Sequence, residues 1–273
     1  MSNRPANPPR IRLVFLGTGT SAGVPMIGCD CAVCTSTDPR DSRTRCSVVI
    51  TYEGLEAATG KSKIFRVLVD ATPELRIQCV KQKVKWIDAV VFTHAHADHI
   101  MGIDDLRRFN AIRRGPLDVW ADQETFASLQ NCFGYAFNTQ ATTLFRPKLV
   151  PSLIAGPFDI GGVTWTPIPL DHGTGKTLGF RIGNLAYCTD TSNVPQSSKA
   201  LLLGLDVLVL DALQPVAHET HLTIDAAIEI SRELAPRRTL FTHMSHQVSH
   251  AATSAILPQS IELSYDGLVV QSS

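Results

Sequence analysis

The chain has 273 residues, 44% hydrophobic and 18% charged, with 25 basic and 25 acidic side chains and a formal net charge of zero. That length suits one large α/β domain, and that composition excludes a globally disordered chain. The charge balance gives no support for general nucleic-acid or anionic-membrane binding.

MSNRPANPPR (1–10) is polar and proline-rich and reads as a flexible lead-in, with 11–273 as a single domain. No signal-peptide-like apolar run follows, and no stretch approaches a membrane span. The seven cysteines suit free thiols and metal ligands in a reducing compartment, so the expected location is the cytoplasm. IRLVFLG (11–17) reads as a buried strand ended by glycine, and 18–47 as a loop holding three close cysteines. CSVVITYE and KIFRVLVDA read as two strands about a polar turn near Gly54–Lys63. TPELRIQCVKQKV has helical spacing, WIDAVVFTH is a strand, and the segment after Asp98 reads as a helix. LDVWAD is a short strand and ETFASLQNCFGYAF is helical or mixed. Its aromatics Phe133, Tyr135 and Phe137 suit either core packing or a lid. Residues 140–160 are irregular and proline-punctuated. VTWTPIPLDH, LGFRIG and LAYCTD read as strands of a second sheet, followed by a short helix in SKALLLG. LDVLVLDA is a buried strand, TIDAAIEISRELA an amphipathic helix ended by Pro236, and RTLFTHMSH a final strand into a loop. Strands alternating with helices predict a layered α/β fold without repeats.

The strongest motif is HAHADH, His94 to His99, delivered by the strand DAVVFT. A strand holds its end rigidly, and the turn beyond it aims several side chains at one point. Imidazole and carboxylate suit zinc, iron or manganese. His94 and His96, two apart, suit one metal, and Asp98 and His99 can turn toward a second. His172 follows TPIPL, Asp190 follows LAYCT, and His243 follows RTLFT. Each is a ligand-type residue ending an apolar strand. Any one alone could be a capping group; after a completed motif the ligand reading takes precedence.

Cys29, Cys31 and Cys34 stand together in GCDCAVC. Structural zinc is nearly always four-coordinate, so a fourth ligand is needed. His246 could supply it, with Cys46 as a spare; an iron–sulfur site, a redox pair and plain free thiols stay open. Cys46, Cys79, Cys132 and Cys188 read as small buried apolar residues. Gly17, Gly19 and Ala22 satisfy a loose dinucleotide fingerprint, but Gly23, Pro25 and the cysteines leave no following helix. The turn could still lend N–H groups to a phosphate. Arg107 and Arg108 follow the histidine motif on a helix. Arg107, like Ser245, is a candidate for gripping a phosphate or carboxylate, with a solvated face as the alternative.

HAHADH, with Asp70, His172, Asp190 and His243 in order, resembles the metallo-β-lactamase superfamily over essentially the whole chain. The resemblance implies a four-layer αβ/βα sandwich, two mixed sheets flanked by helices. It implies one metal on His94, His96, His172 and Asp190, and a second on Asp98, His99, His243 and the shared Asp190. Asp70 resembles the acid that orients a ligand histidine. GTGTSAGVPMIGCDCAVC followed by THMSHQ is similar to the PhnP-type phosphodiesterase branch, although GIDDLRRF departs from it. That branch implies a structural zinc and a catalytic pair of manganese or zinc ions. Such a pair, about 3.5–4 Å apart, bridges a hydroxide generated from water near neutral pH. His221, in a His-x-Thr similar to the superfamily's phosphodiesterases, is the candidate proton donor, beside Asp98 as the second catalytic candidate. Its alternative is a helix neighbour with Thr220 or Thr223 as cap, and His218 is a competitor. The expected activity is hydrolysis of a small cyclic or nucleotide-like phosphodiester, with no membrane partner and a homodimer left open. Alternatives are a tRNA 3′-end endonuclease, a thioester or lactone hydrolase, and a non-catalytic metal-stabilised nucleotide-binding protein.

Overall fold

The computed structural model describes residues 10–138, 140 and 144–272. The expected lead-in therefore lies almost wholly outside the described residues. The first sheet contains β1 (Arg12–Gly17), β2 (Ser47–Leu55), β3 (Ser62–Val69), β4 (Ala89–Val91), β5 (Leu117–Ala121), β6 (Leu149–Leu153) and β14 (Val269–Gln271), in the order β14-β1-β2-β3-β4-β5-β6. The second contains β7 (Phe158–Ile160), β8 (Val163–His172), β9 (Gly175–Ile182), β10 (Leu185–Cys188), β11 (Val207–Asp211), β12 (Arg238–Thr242) and β13 (Ile261–Leu263), in the order β13-β12-β11-β10-β9-β8-β7. Helices α1 (Leu75–Lys81), α2 (Ala97–Ile100), α3 (Arg107–Arg113) and α4 (Gln123–Phe137) follow first-sheet strands. Helices α5 (Gln196–Lys199), α6 (Ile224–Leu234) and α7 (His250–Ser254) follow second-sheet strands. This is the predicted sandwich of two mixed sheets flanked by helices.

Strand β1 shows why both faces of each sheet are covered. Leu13 and Phe15 enter the apolar layer between the sheets, whereas Val14 and Leu16 join the layer under α1, α3 and α4. A strand buried on both faces reads as a continuous apolar run, as RLVFLG does. The second sheet likewise sends Val207 and Val209 inward and Leu208 and Leu210 toward α6. Trp165 fills the centre, donating its indole N–H to Tyr52 Oη at 3.0 Å, and Tyr52 donates onward to the Ile160 carbonyl at 3.0 Å. Among the described residues, no helix is long and apolar enough to cross a membrane.

Three local expectations change. Residues 149–153 and 158–160, expected to be irregular, form β6 and β7. Pro151 is tolerated because β6 is an edge strand, paired through β5 alone. The helix after Asp98 is broken into α2, a 3-10 turn over Ile103–Leu106 and α3. Gly102 lies at the break, its N–H bonded to the Ala71 carbonyl, and a Cβ there would meet the Thr72 carbonyl at 1.9 Å. The C-terminal strands β13 and β14 were not foreseen; β14 covers the edge of β1. Phe133 and Phe137 pack with the α4 core, while Tyr135 donates to Asp104 at 3.0 Å on the surface.

Replacing Trp165 by alanine removes the largest fully buried side chain. The expected loss is about 3–5 kcal/mol of unfolding free energy, read from the midpoint of urea denaturation.

Candidate metal centre

Topology brings the candidate residues to one end of the sandwich. β3 and β4 are parallel neighbours, as are β10, β11 and β12, so their C-terminal ends share an edge. β8 and β10 both pair antiparallel with β9 and so run the same way. Asp70, Thr93, His172, Asp190, Asp211 and His243 stand at or just beyond these ends. Loops at strand C-termini are where open α/β sheets build sites. Asp70, Asp190 and His243 adopt left-handed backbones, at φ 62°, 53° and 60°. Such non-glycine conformations cost about 1–3 kcal/mol each and persist where surrounding structure over-determines them.

Two groups of ligand atoms result. His94, His96, His172 and Asp190 form one, and Asp98, His99, Asp190 and His243 the other, each within 4.8 Å. Asp190 is shared and buried. Its Oδ2 lies 3.3 Å from His99 Nε2, 3.2 Å from His243 Nε2 and 3.8 Å from His94 Nε2. His99 Nε2 is also 3.3 Å from Asp98 Oδ2. Burial alone would raise the Asp190 carboxyl, but the imidazoles of His243 and His99 hold it well below the usual range. Burial pushes His94 down. For His99, burial is outweighed by the Asp190 and Asp70 carboxylates, which raise it.

The donor set fits divalent cations. His94 Nε2, Asp98 Oδ2, His99 Nε2 and His243 Nε2 are buried without hydrogen-bond partners among the described residues. Buried polar atoms seldom stay unsatisfied, and these converge on the shared carboxylate. The opposite ring nitrogens of His94, His99 and His172 are held from behind. His99 Nδ1 meets Asp70 Oδ2 at 2.8 Å, and Asp70 accepts from the N–H and hydroxyl of Thr93. His172 Nδ1 meets the Thr220 carbonyl at 2.7 Å. Such bonds fix tautomer and ring direction.

His221 stacks on His243, centroids 4.6 Å apart, and meets the edge of His172 at 4.8 Å. Its Nδ1 bonds Asp211 Oδ2 at 2.7 Å, leaving Nε2 for the site. Thr223, not Thr220, caps α6 by accepting from the Ala226 N–H. Asp211 was missed as a functional residue. It ends the apolar strand LDVLVLD just as Asp190 and His243 follow theirs, so the same rule would have found it.

His246 joins the cysteines, its Nδ1 3.2 Å from Cys29 Sγ and 3.4 Å from Cys31 Sγ, and Cys34 completes the group. The backbone N–H of Cys34, then His246, lower the Cys31 thiol to about 6. Cys46 is elsewhere, buried against the Thr242 hydroxyl at 3.0 Å. Gly19 and Thr20 direct their N–H groups to the carbonyls of Thr44 and Met244, so neither is free to cradle a phosphate.

The two substrate candidates are engaged by other partners. Arg107 pairs with Asp104, faces the Phe145 ring at 5.6 Å, and lines a different cavity. Ser245 is buried; its hydroxyl accepts from the Gln247 N–H at 3.1 Å. The cavity beside the metal groups, about 420 Å³, is lined by His94, His96, His172, Asp122, Glu124 and Lys176 among others.

The sequence profile described as "Beta-lactamase superfamily domain" matches residues 65–244. The chain belongs to the beta-lactamase superfamily. Within it, a solved structure described as a new diphosphatase from the PhnP family is 39% identical, with a TM-score of 0.87 over 96% of this chain and 97% of that one. An octanoyltransferase of Porphyromonas gingivalis is 33% identical over 94% of this chain, and the chain spans only 51% of that relative's length. Coenzyme PQQ synthesis protein B of Methylorubrum populi is 25% identical over 74% of this chain and 72% of its own.

Removing the shared carboxylate with Asp190→Ala should weaken metal uptake at both histidine–aspartate groups together and leave uptake at the cysteine–histidine group in place. Metal analysis after gel filtration reads this; loss of one ion alone would show that Asp190 serves a single group.

Proposed function

We propose that this superfamily member is a metal-dependent hydrolase of a small phosphodiester or diphosphate, nucleotide-like in size. The observation that carries the reading is His221, braced by Asp211, stacked on His243 of one ligand group and edge-on to His172 of the other. When bound at those groups, divalent manganese or zinc ions supply an activated water and polarise a phosphoryl oxygen. The chain's own residues do the rest. Asp70 and Thr220 hold His99 and His172 in register. Asp211 accepts from His221 Nδ1, which leaves Nε2 to deliver a proton to the departing oxygen. An alkoxide needs that proton, whereas a thiolate, with a pKa of about 8.5, leaves without it. The His221–Asp211 pair therefore favours an oxygen leaving group over a thioester.

The PhnP-family diphosphatase supports the same chemistry, since it aligns with this chain almost end to end. The octanoyltransferase is matched over about half its length, so its acyl transfer is not carried over. The thiolate cluster suits a structural zinc. The cysteines are free thiols, in keeping with the proposed cytoplasmic location.

Protein loaded with manganese or zinc should turn over a chromogenic phosphodiester in preference to a thioester and a β-lactam. On a phosphodiester whose leaving group is an unactivated alkoxide, such as a cyclic nucleotide or a dinucleotide, His221→Ala should lower kcat by about 10²–10⁴-fold with metal content unchanged. Preferential thioester turnover would overturn the phosphate reading, and full activity in His221→Ala would remove that residue from it.

A further inference from the structure

His243 differs from the other buried histidines of the two ligand groups. The Nδ1 atoms of His94, His99 and His172 have partners in the Thr93 hydroxyl, Asp70 and the Thr220 carbonyl. His243 Nδ1 is buried and has no hydrogen-bond partner among the described residues. A ligand histidine is ordinarily aimed by the bond on its second nitrogen. The His243 ring instead has His221 stacked beside it, planes 15° apart. Its direction is set chiefly by its backbone, which sits in the left-handed region.

The residues that follow hold that backbone. Met244 donates its N–H to the Thr18 carbonyl at 2.9 Å and accepts from the Thr20 N–H at 3.2 Å. Ser245 donates its N–H to the Leu213 carbonyl at 2.9 Å. Arg43, its side chain fully buried, donates to the carbonyls of Ser245 at 3.0 Å and Val248 at 2.7 Å. The same guanidinium pairs with Asp41 at 3.0 Å, and Asp41 accepts from the His250 N–H at 2.7 Å. Between the two carbonyls clamped by Arg43 stands His246, whose ring enters the cysteine group. The strap 243–248 thus carries one ligand of each cluster, three residues apart.

We infer that the Cys29–Cys31–Cys34–His246 cluster is a positioning site for His243, acting through the strap that Arg43 clamps. The inference rests on the two-group metal reading. A filled thiolate cluster anchors the strap at His246; without it, Arg43 is left to hold the segment on the side away from His243. The coupling is reciprocal, as linkage requires. Its target is the Asp98–His99–Asp190–His243 group, because the His94–His96–His172 side takes no ligand from the strap.

Cobalt(II) titration of the full chain tests this. Thiolate ligation gives a strong near-ultraviolet band, and imidazole–carboxylate ligation gives weak visible bands. In His246→Ala the three thiolates keep an ultraviolet band that should need more cobalt to develop, and the ion on the His243 group should bind at least about tenfold more weakly. The ion on the His94 group should keep its affinity. Arg43→Lys, which keeps the charge and loses the fork, should weaken the same ion while retaining the ultraviolet band. His246→Cys should restore both, since four cysteines also hold such an ion. Circular dichroism checks folding; if His246→Ala does not fold, Arg43→Lys and His246→Cys decide. Unchanged affinity for the second ion in a folded His246→Ala or Arg43→Lys protein would overturn the coupling. Wild-type protein that takes up no ion at the histidine–aspartate groups would overturn the metal reading itself.

Discussion

A single buried carboxylate, Asp190, sets the terms for the rest of the site. It is 2% exposed and lies within 3.8 Å of His94, His99 and His243. A desolvated anion is costly unless cations face it from several sides. That requirement explains why so many imidazoles converge there, and why the backbone of Asp190 is held in an unfavourable left-handed conformation. The carboxylate also divides the site into two groups by belonging to both.

The sandwich makes this convergence rigid. Strands β4, β10 and β11, and β12 beyond Arg238, are buried on both faces, so their ends cannot shift without disturbing a packed layer. Parallel pairing of β10, β11 and β12 puts Asp190, Asp211 and His243 at the same level. Parallel β3 and β4 do the same for Asp70 and the start of the histidine motif. The two sheets supply ligands in comparable number, so the centre forms only where both edges meet.

Orientation is delegated outward unevenly. His99, His172 and His221 are each held by a bond on Nδ1, to Asp70, the Thr220 carbonyl and Asp211. His243 is held by its backbone, and that backbone belongs to a strap reaching into the thiolate cluster. The cysteine loop is thereby joined to the candidate metal centre through covalent chain as well as through packing.

The sequence by itself marked the ligand-type side chains, and the family resemblance implied how they would group. His94 to His99 are neighbours on one turn, so their cooperation is a local property. His172, Asp190 and His243 were legible because each ends a recognisable apolar strand, and Asp211 could have been read by the same rule. The layered fold was legible from strands that alternate with helices. β6 was not, because only its pairing with β5 makes it a strand; its exposed face carries no apolar period. The tertiary structure alone decided that Arg107 lines a cavity other than the one beside the ligand groups. It alone placed Arg43 under carbonyls 202 and 205 positions away. Side-chain type marks what a residue can bind, but a carbonyl is the same in every residue. Contacts made to distant backbone therefore leave no trace in the sequence and exist only once the chain has closed.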